Sequence, residues 1–243
     1  VLSLVFFTVA LLYATVGFGG GSSYLAALAY FDVPFEVLPK IGLICNLLVV
    51  SGGAWHYTKK GHVNKSLLLP FVVTSVPLSF LGGLYPIKEK VFLALLATLL
   101  LLSGIRLILN PKFRESESKP PPFKFALVMG GVLGFLSGLV GLGGGIFLSP
   151  LMLNLNWGKA KEVAATASLF ILFNSLAGLG GQLLKGGSAN LFDYWPLYLS
   201  VIVGGQMGSR FGTSSIATDR FLKMATGLLV LFIAINLLLK KVL

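Results

Sequence analysis

The feature that most constrains this chain is a set of apolar runs that water would not tolerate. VFLALLATLLLLSGI at 91–105 and ATGLLVLFIAINLLL at 225–239 contain no charged residue at all. Each sits inside a segment of about 19 residues, close to the ~20 needed to cross a bilayer as a helix. Lipid offers the backbone no hydrogen bonds, so such segments satisfy their own N–H and C=O groups as helices. Composition decides between one buried soluble core and many spans. The 243 residues are 56% hydrophobic and 11% charged, against about 25% charged for an ordinary soluble domain. The fold class expected is an all-α polytopic membrane protein.

The apolar segments come in two sets of five. The first set lies at about 2–16, 20–31, 40–57, 67–85 and 91–109, the second at about 124–141, 144–156, 163–184, 192–211 and 221–239. The sets also match residue by residue. With Gly17 placed on Gly141, Gly19–Gly21 fall on Gly143–Gly145, Asn46 on Asn174 and Gly53 on Gly181. Pro70 then falls on Pro196, Gly82 on Gly208, and Glu89–Lys90 on Asp219–Arg220. Self-similarity at this scale marks an internal repeat. Between the sets runs NPKFRESESKPPPFK, whose prolines and charges make it an exposed linker. The expected division is repeat one at 1–109, linker at 110–124 and repeat two at 125–243.

In each set the second segment is too short to span. It follows a glycine run, GFGGG at 17–21 and GLGGG at 141–145. Glycine is a poor helix-interior residue. It is a good way to end one helix and start another. If the short helix turns back, each half crosses an odd number of times and the two repeats are inverted. If it continues, the repeats are parallel. Leaving out Arg106, the turn-back arrangement puts twelve Lys and Arg residues on one side against six. The positive-inside tendency therefore favours inversion, with both termini outside. The chain starts at Val1, and a native start is expected upstream. Residues 2–16 are read as a span rather than a signal peptide, because the small-residue stretch after them has a mid-chain twin.

A helix start carries free N–H groups and the positive end of the dipole, which together attract anions. Gly19, Gly20 and Gly21 open one short helix, with Ser22 and Ser23 adding hydroxyls; Gly143, Gly144 and Gly145 open the other. Paired half-helix starts near mid-membrane describe many transporter sites. Close helix packing is the competing use of the same glycines. Packing alone is expected of Gly130, Gly131, Gly134 and Gly138. The polar inventory fits an anion. All eight acids lie in loops or at span ends, while Asn46, Asn174, Gln182, Gln206, Thr166, Ser168 and Asn236 offer neutral groups within spans. Asn46 and Asn174 lead as donors, with interhelical bonding as the alternative. Arg210 is a further candidate, though a topology signal at a span end explains it as well. Trp55, Trp157 and Trp195 suit an interfacial belt. Cys45, beside Asn46, would report on a ligand there through its labelling rate.

Several classes find no footing. The net charge of +11 sits in juxtamembrane positions such as Lys59, Lys60, Lys65, Lys112, Arg114, Lys119 and Lys124, so nucleic acid is not an expected partner. One cysteine makes no intrachain disulfide, and no His/Cys spacing suggests a metal. No HExxH or GxSxG occurs, so neither an enzyme nor a cofactor is expected.

ATVGFGGGSSYL with CNLLVVSGG, and SGLVGLGGGIFLSPLM with FNSLAGLGG, resemble the paired motifs of the TauE/SafE sulfite exporter family, also called TSUP. The resemblance covers essentially the whole chain and is fuller in the second half, where Pro150 follows the glycines and Ala26 stands in the first. It implies a multi-pass transporter of the bacterial inner membrane, with the lipid bilayer and a small sulfur-containing anion, sulfite or a sulfonate, as partners. Homo-oligomerisation stays open. The site expected is Gly19–Ser23, Asn46, Gly143–Gly145 and Asn174, with Gln182, Gln206 and Arg210 nearby. An anion channel and a non-transporting scaffold are the alternatives.

Overall fold

A computed structural model describes residues 1–15, 18–109, 119–186 and 190–212, with isolated positions beyond. Gly17, the 110–118 part of the linker, the Asp219–Arg220 pair, Asn236 and nearly all of the tenth segment lie outside the described residues. The described residues form helices α1 (Leu2–Thr15), α2 (Gly21–Tyr30), α3 (Leu38–Lys59), α4 (Lys65–Leu84), α5 (Glu89–Leu109), α6 (Phe123–Val140), α7 (Gly145–Asn154), α8 (Ala160–Leu184) and α9 (Trp195–Gly212). A 3-10 turn at Leu191–Tyr194 leads into α9. No strand occurs among the described residues.

The local chemistry accounts for where these helices start. Pro39 occupies the first turn of α3, where a missing N–H costs nothing. Asn64 caps α4 by accepting the Leu67 N–H at 3.3 Å. Glu162 reaches back to the Lys159 N–H at 2.9 Å and closes the first turn of α8. Helices α3, α4, α6 and α8 are long and apolar enough to cross a membrane. The short second segments are present as ten-residue helices, α2 and α7, each about 15 Å long. Leu69, Val73 and Leu81 on α4 and Val128 and Val132 on α6 point outward. An apolar exterior of this kind suits lipid rather than water.

Helices pack across the halves more than within them. On α6, Gly130, Gly134 and Gly138 lie against the backbone of Phe71, Ser75 and Ser79 on α4. On α9, Gly204 and Gly208 lie against the backbone of Phe7 and Leu11 on α1. Both pairs therefore run parallel, with four-residue steps on each helix. The two seams also correspond in sequence. Gly82 meets the Phe135 carbonyl, and Gly208 meets the Leu11 carbonyl. Gly82 and Gly208 are repeat partners, and so are Phe135 and Leu11 at the 124-residue offset of the glycine runs. Gly130, Gly134 and Gly138 thus serve close packing, as expected of them.

One end of the bundle gathers the starts of α3 and α5 with the ends of α4 and α8, around Phe35, Lys40, Pro86 and Gly186. The chain leaving α2 arrives at this end. The chain leaving α7 arrives at the other. There Trp157 packs against Phe71 and Phe125, with ring centroids 6.1 and 5.7 Å away, and Asn156 O accepts the Lys119 N–H at 2.9 Å. The three tryptophans differ in exposure. Trp55 and Trp195 are exposed, but Trp157 is buried, because the close approach of α4 and α6 leaves an aromatic slot at their starts. Cys45 is fully buried in the larger apolar core, so its thiol is not open to a reagent in this conformation.

Candidate functional site

The two glycine runs meet at one side chain. Asn46 lies two turns into α3 and is fully buried. A methyl group built on Gly19 would strike its Oδ1. One built on Gly21 would lie 2.6 Å from its Nδ2, and one on Gly143 would lie 2.7 Å from the same nitrogen. A single amide therefore touches both runs. The runs also touch each other, since the Gly21 methyl would come within 2.9 Å of Leu142 O. Glycine is required here by space as much as by conformation.

Conformation matters at the caps. Gly20 caps α2 with φ 82°, and Gly144 caps α7 with φ 76°. Gly141 and Gly143 also have positive φ, at 89° and 75°. No side chain caps either helix. Ser23 and Tyr24 N–H return to Gly20 O, and Phe147 and Leu148 N–H return to Gly144 O. Among the described residues this leaves the N–H groups of Gly21 and Ser22, and of Gly145 and Ile146, as the open donors of the two first turns. Ser23 drops out of the expected donor set. Its backbone is used by Gly20, and its hydroxyl pairs with Tyr13 OH at 2.9 Å.

Three buried polar atoms stand round the first run without a hydrogen-bond partner among the described residues: Ser22 Oγ, Tyr24 OH and Asn46 Oδ1. The Tyr24 hydroxyl would be 2.9 Å from a methyl on Gly20. Asn46 Nδ2 makes only a long bond to Gly141 O, at 3.5 Å. Buried polar groups are normally satisfied, and a cluster at a double helix start is where a polar ligand would be held. Tyr13 and Tyr24 were missed by sequence reasoning. Their proximity to the glycines, four and three residues from the run, was the only available signal.

The other candidates divide. Asn174 is fully buried, and neither of its side-chain polar atoms has a partner among the described residues. Its backbone carbonyl accepts the Ser79 hydroxyl at 2.7 Å, which places it along the α4 seam. The second run is lined by Ile171, one turn earlier on α8, whose Cγ2 would be 2.9 Å from a methyl on Gly143. The repeat partner of Asn46 is thus not its spatial counterpart. Gln182 donates to Gly138 O at 2.9 Å and lines a separate cavity. Gln206 packs on Gly52, where a methyl would meet its Nε2 at 2.7 Å. Arg210 is exposed in the last turn of α9. The structure therefore brings together Gly19–Ser22, Asn46 and Gly143–Gly145 and leaves Gln206 and Arg210 outside that group. Among the described residues no group of three His, Cys, Asp or Glu could hold a metal ion.

Comparison with known sequences places the chain in a family. The family model described as "Sulfite exporter TauE/SafE" matches residues 2–237. The chain belongs to the TauE/SafE sulfite exporter family. Among TauE/SafE relatives, the probable membrane transporter protein y4hK of Sinorhizobium fredii is 34% identical, covering 98% of this chain and 97% of its own. The probable membrane transporter protein YunE of Bacillus subtilis is 26% identical, over 92% and 89%. The sulfite exporter TauE/SafE family protein 6 of Arabidopsis thaliana is 31% identical over 52% of this chain and 33% of its own. No solved structure gives a significant match. The TauE/SafE assignment makes this chain a membrane transporter with several membrane-spanning helices.

Proposed function

We propose that the chain is a secondary transporter that exports small sulfur-containing anions, such as sulfite or an organosulfonate, across the bacterial inner membrane. The observation that carries the reading is the shared amide: Asn46 bridges two helix starts whose first N–H groups are open. The positive ends of α2 and α7 converge there. Among the described residues, the acids Asp32, Glu36, Glu89, Glu162 and Asp193 lie in loops or first helix turns, so no carboxylate opposes an anion at the junction. The name of the Arabidopsis relative supports sulfite as the first substrate to try.

The repeats are read as inverted. The α1–α2 pair opens toward the end that holds Lys40, and α6–α7 toward the end that holds Trp157. Rocking of one half against the other would expose the junction to each side in turn. Asn46 packs the junction shut in this conformation, which fits alternate closure better than an open channel. The test is flux in proteoliposomes. Saturable uptake of labelled sulfite, stimulated by sulfite loaded on the far side, is the expected result. Uptake that neither saturates nor shows counterflow points to a channel. No uptake of sulfite or any sulfonate, and no binding by calorimetry, points to a scaffold.

A further inference from the structure

A cavity of about 250 Å³ lies at the end of the bundle where α3 begins and α8 ends. Lys40 and Lys185 line it, with Gln182, whose side chain ties α8 to Gly138 on α6. Phe35, Ile87 and Phe92 add apolar side chains to the same lining. Lys40 is only 3% exposed, an unusual state for an ammonium group. Its Nζ donates to Gly186 O at 2.8 Å, just past the end of α8. That bond occupies one of three donors. Among the described residues no carboxylate forms an ion pair with it; Glu36, the acid on the cavity wall, is exposed. Lys185 is exposed on the cavity rim; partial burial and then the charge of Lys40 hold it below the ordinary lysine pKa, so the two cations lie close enough to feel each other.

We propose that this cavity binds small amphiphilic anions, with Lys40 and Lys185 taking the charged head and Phe35, Ile87 and Phe92 taking a short carbon chain. A bare inorganic anion would use only the two lysines. An anion with two to four carbons would use the apolar side chains as well. The floor of the cavity adjoins the junction. Pro39, beside Lys40, lies against Gly141, whose added methyl would sit 2.5 Å from the Pro39 Cα. Gln182 bonds Gly138 and Leu139 in the turn that leads to the glycines. The cavity is then an antechamber, a role that rests on the transport reading; the binding itself does not.

Calorimetry on the purified full chain in nanodiscs tests it, with sulfate, methanesulfonate and propanesulfonate as probes. Affinity is expected to rise about three- to fourfold per added methylene. Lys40→Gln should weaken propanesulfonate at least tenfold, and Lys185→Gln about threefold. Equal affinity for methanesulfonate and propanesulfonate, or unchanged binding by both variants, overturns the proposal. Lys40→Gln also removes the bond to Gly186, so a readout on the unaltered protein is needed. Acetylation of Lys185, followed by mass spectrometry, should slow at least threefold in saturating propanesulfonate, and an unchanged rate overturns the proposal. Cavity binding without flux would sink the transport reading alone. Flux without cavity binding would sink the antechamber alone.

Discussion

Among the described residues the buried Oδ1 of Asn46 has no hydrogen-bond partner, and that has a measurable cost. A buried acceptor left without a donor destabilises by about 1–3 kcal/mol. Leucine is close in size and has no such atom. Asn46→Leu should therefore keep or raise the melting temperature while lowering sulfite flux at least tenfold. A residue kept for packing would behave the other way. Asn46→Asp would set a negative charge against the helix starts, and flux should vanish. Gly143→Ala adds a methyl 2.7 Å from Asn46 Nδ2 at φ 75°, where an L-residue costs about 1–2 kcal/mol; flux and melting temperature should both fall. Gly61→Ala is the control, since φ there is 70° with nothing within 4 Å, and only the melting temperature should move.

Lys185 carries a prediction about pH. Its pKa is lowered by burial and by Lys40, so it loses its proton before an ordinary lysine at about 10.4. Propanesulfonate needs the charged form, so its binding should weaken as pH rises through that lowered value. Lys40 and Glu36 are the other charged groups that line the same cavity. Lys185→Arg stays charged and should move the fall to higher pH, as read by calorimetry.

At the scale of elements, the apolar segments and the two half-helices were legible because span length and glycine runs are local signals. Helix neighbours were not. Asn174 matches Asn46 in order along the chain, yet Ile171 meets the second glycine run, because the alignment drifts by about one turn between glycines and asparagine. Lys40, at the start of the 40–57 segment, drew no attention in the sequence. Only the meeting of α3 with the end of α8 buries it. Nothing in the sequence showed that Phe71 and Phe125 would enclose Trp157. The α4–α6 seam was partly legible, since Gly130, Gly134 and Gly138 recur at four-residue spacing. Gly138 is the tightest point, where any methyl strikes the Ser79 carbonyl. Gly138→Ala should cost about 1–3 kcal/mol, seen as a lower melting temperature in detergent, whereas Gly180→Ala meets only the Phe80 ring edge at 3.7 Å and should be nearly silent.

At the scale of the molecule, the expected sidedness can be checked directly. Lys60 follows α3 and Lys185 follows α8, at opposite ends of the bundle. In a Cys45→Ala background, cysteines placed at these two positions should label from opposite sides of the membrane with an impermeant maleimide. Labelling from the same side would remove the inverted arrangement and the rocking motion built on it.

The matched seams bear on ancestry. Helix α4 finds its close parallel neighbour in α6, and α9 finds its own in α1, through the related contacts Gly82–Phe135 and Gly208–Leu11. Neither half keeps its own first helix beside its fourth. A forebear with a single half would have had these surfaces bare, and two copies clasping each other would have covered them. If those copies lay in the membrane in opposite senses, the forebear had to insert both ways up. On that footing, fusion would fix one orientation for each copy and free them to diverge. The serines after one glycine run, and the Ile146–Phe147 pair after the other, would then be where the copies parted, at the point where they meet.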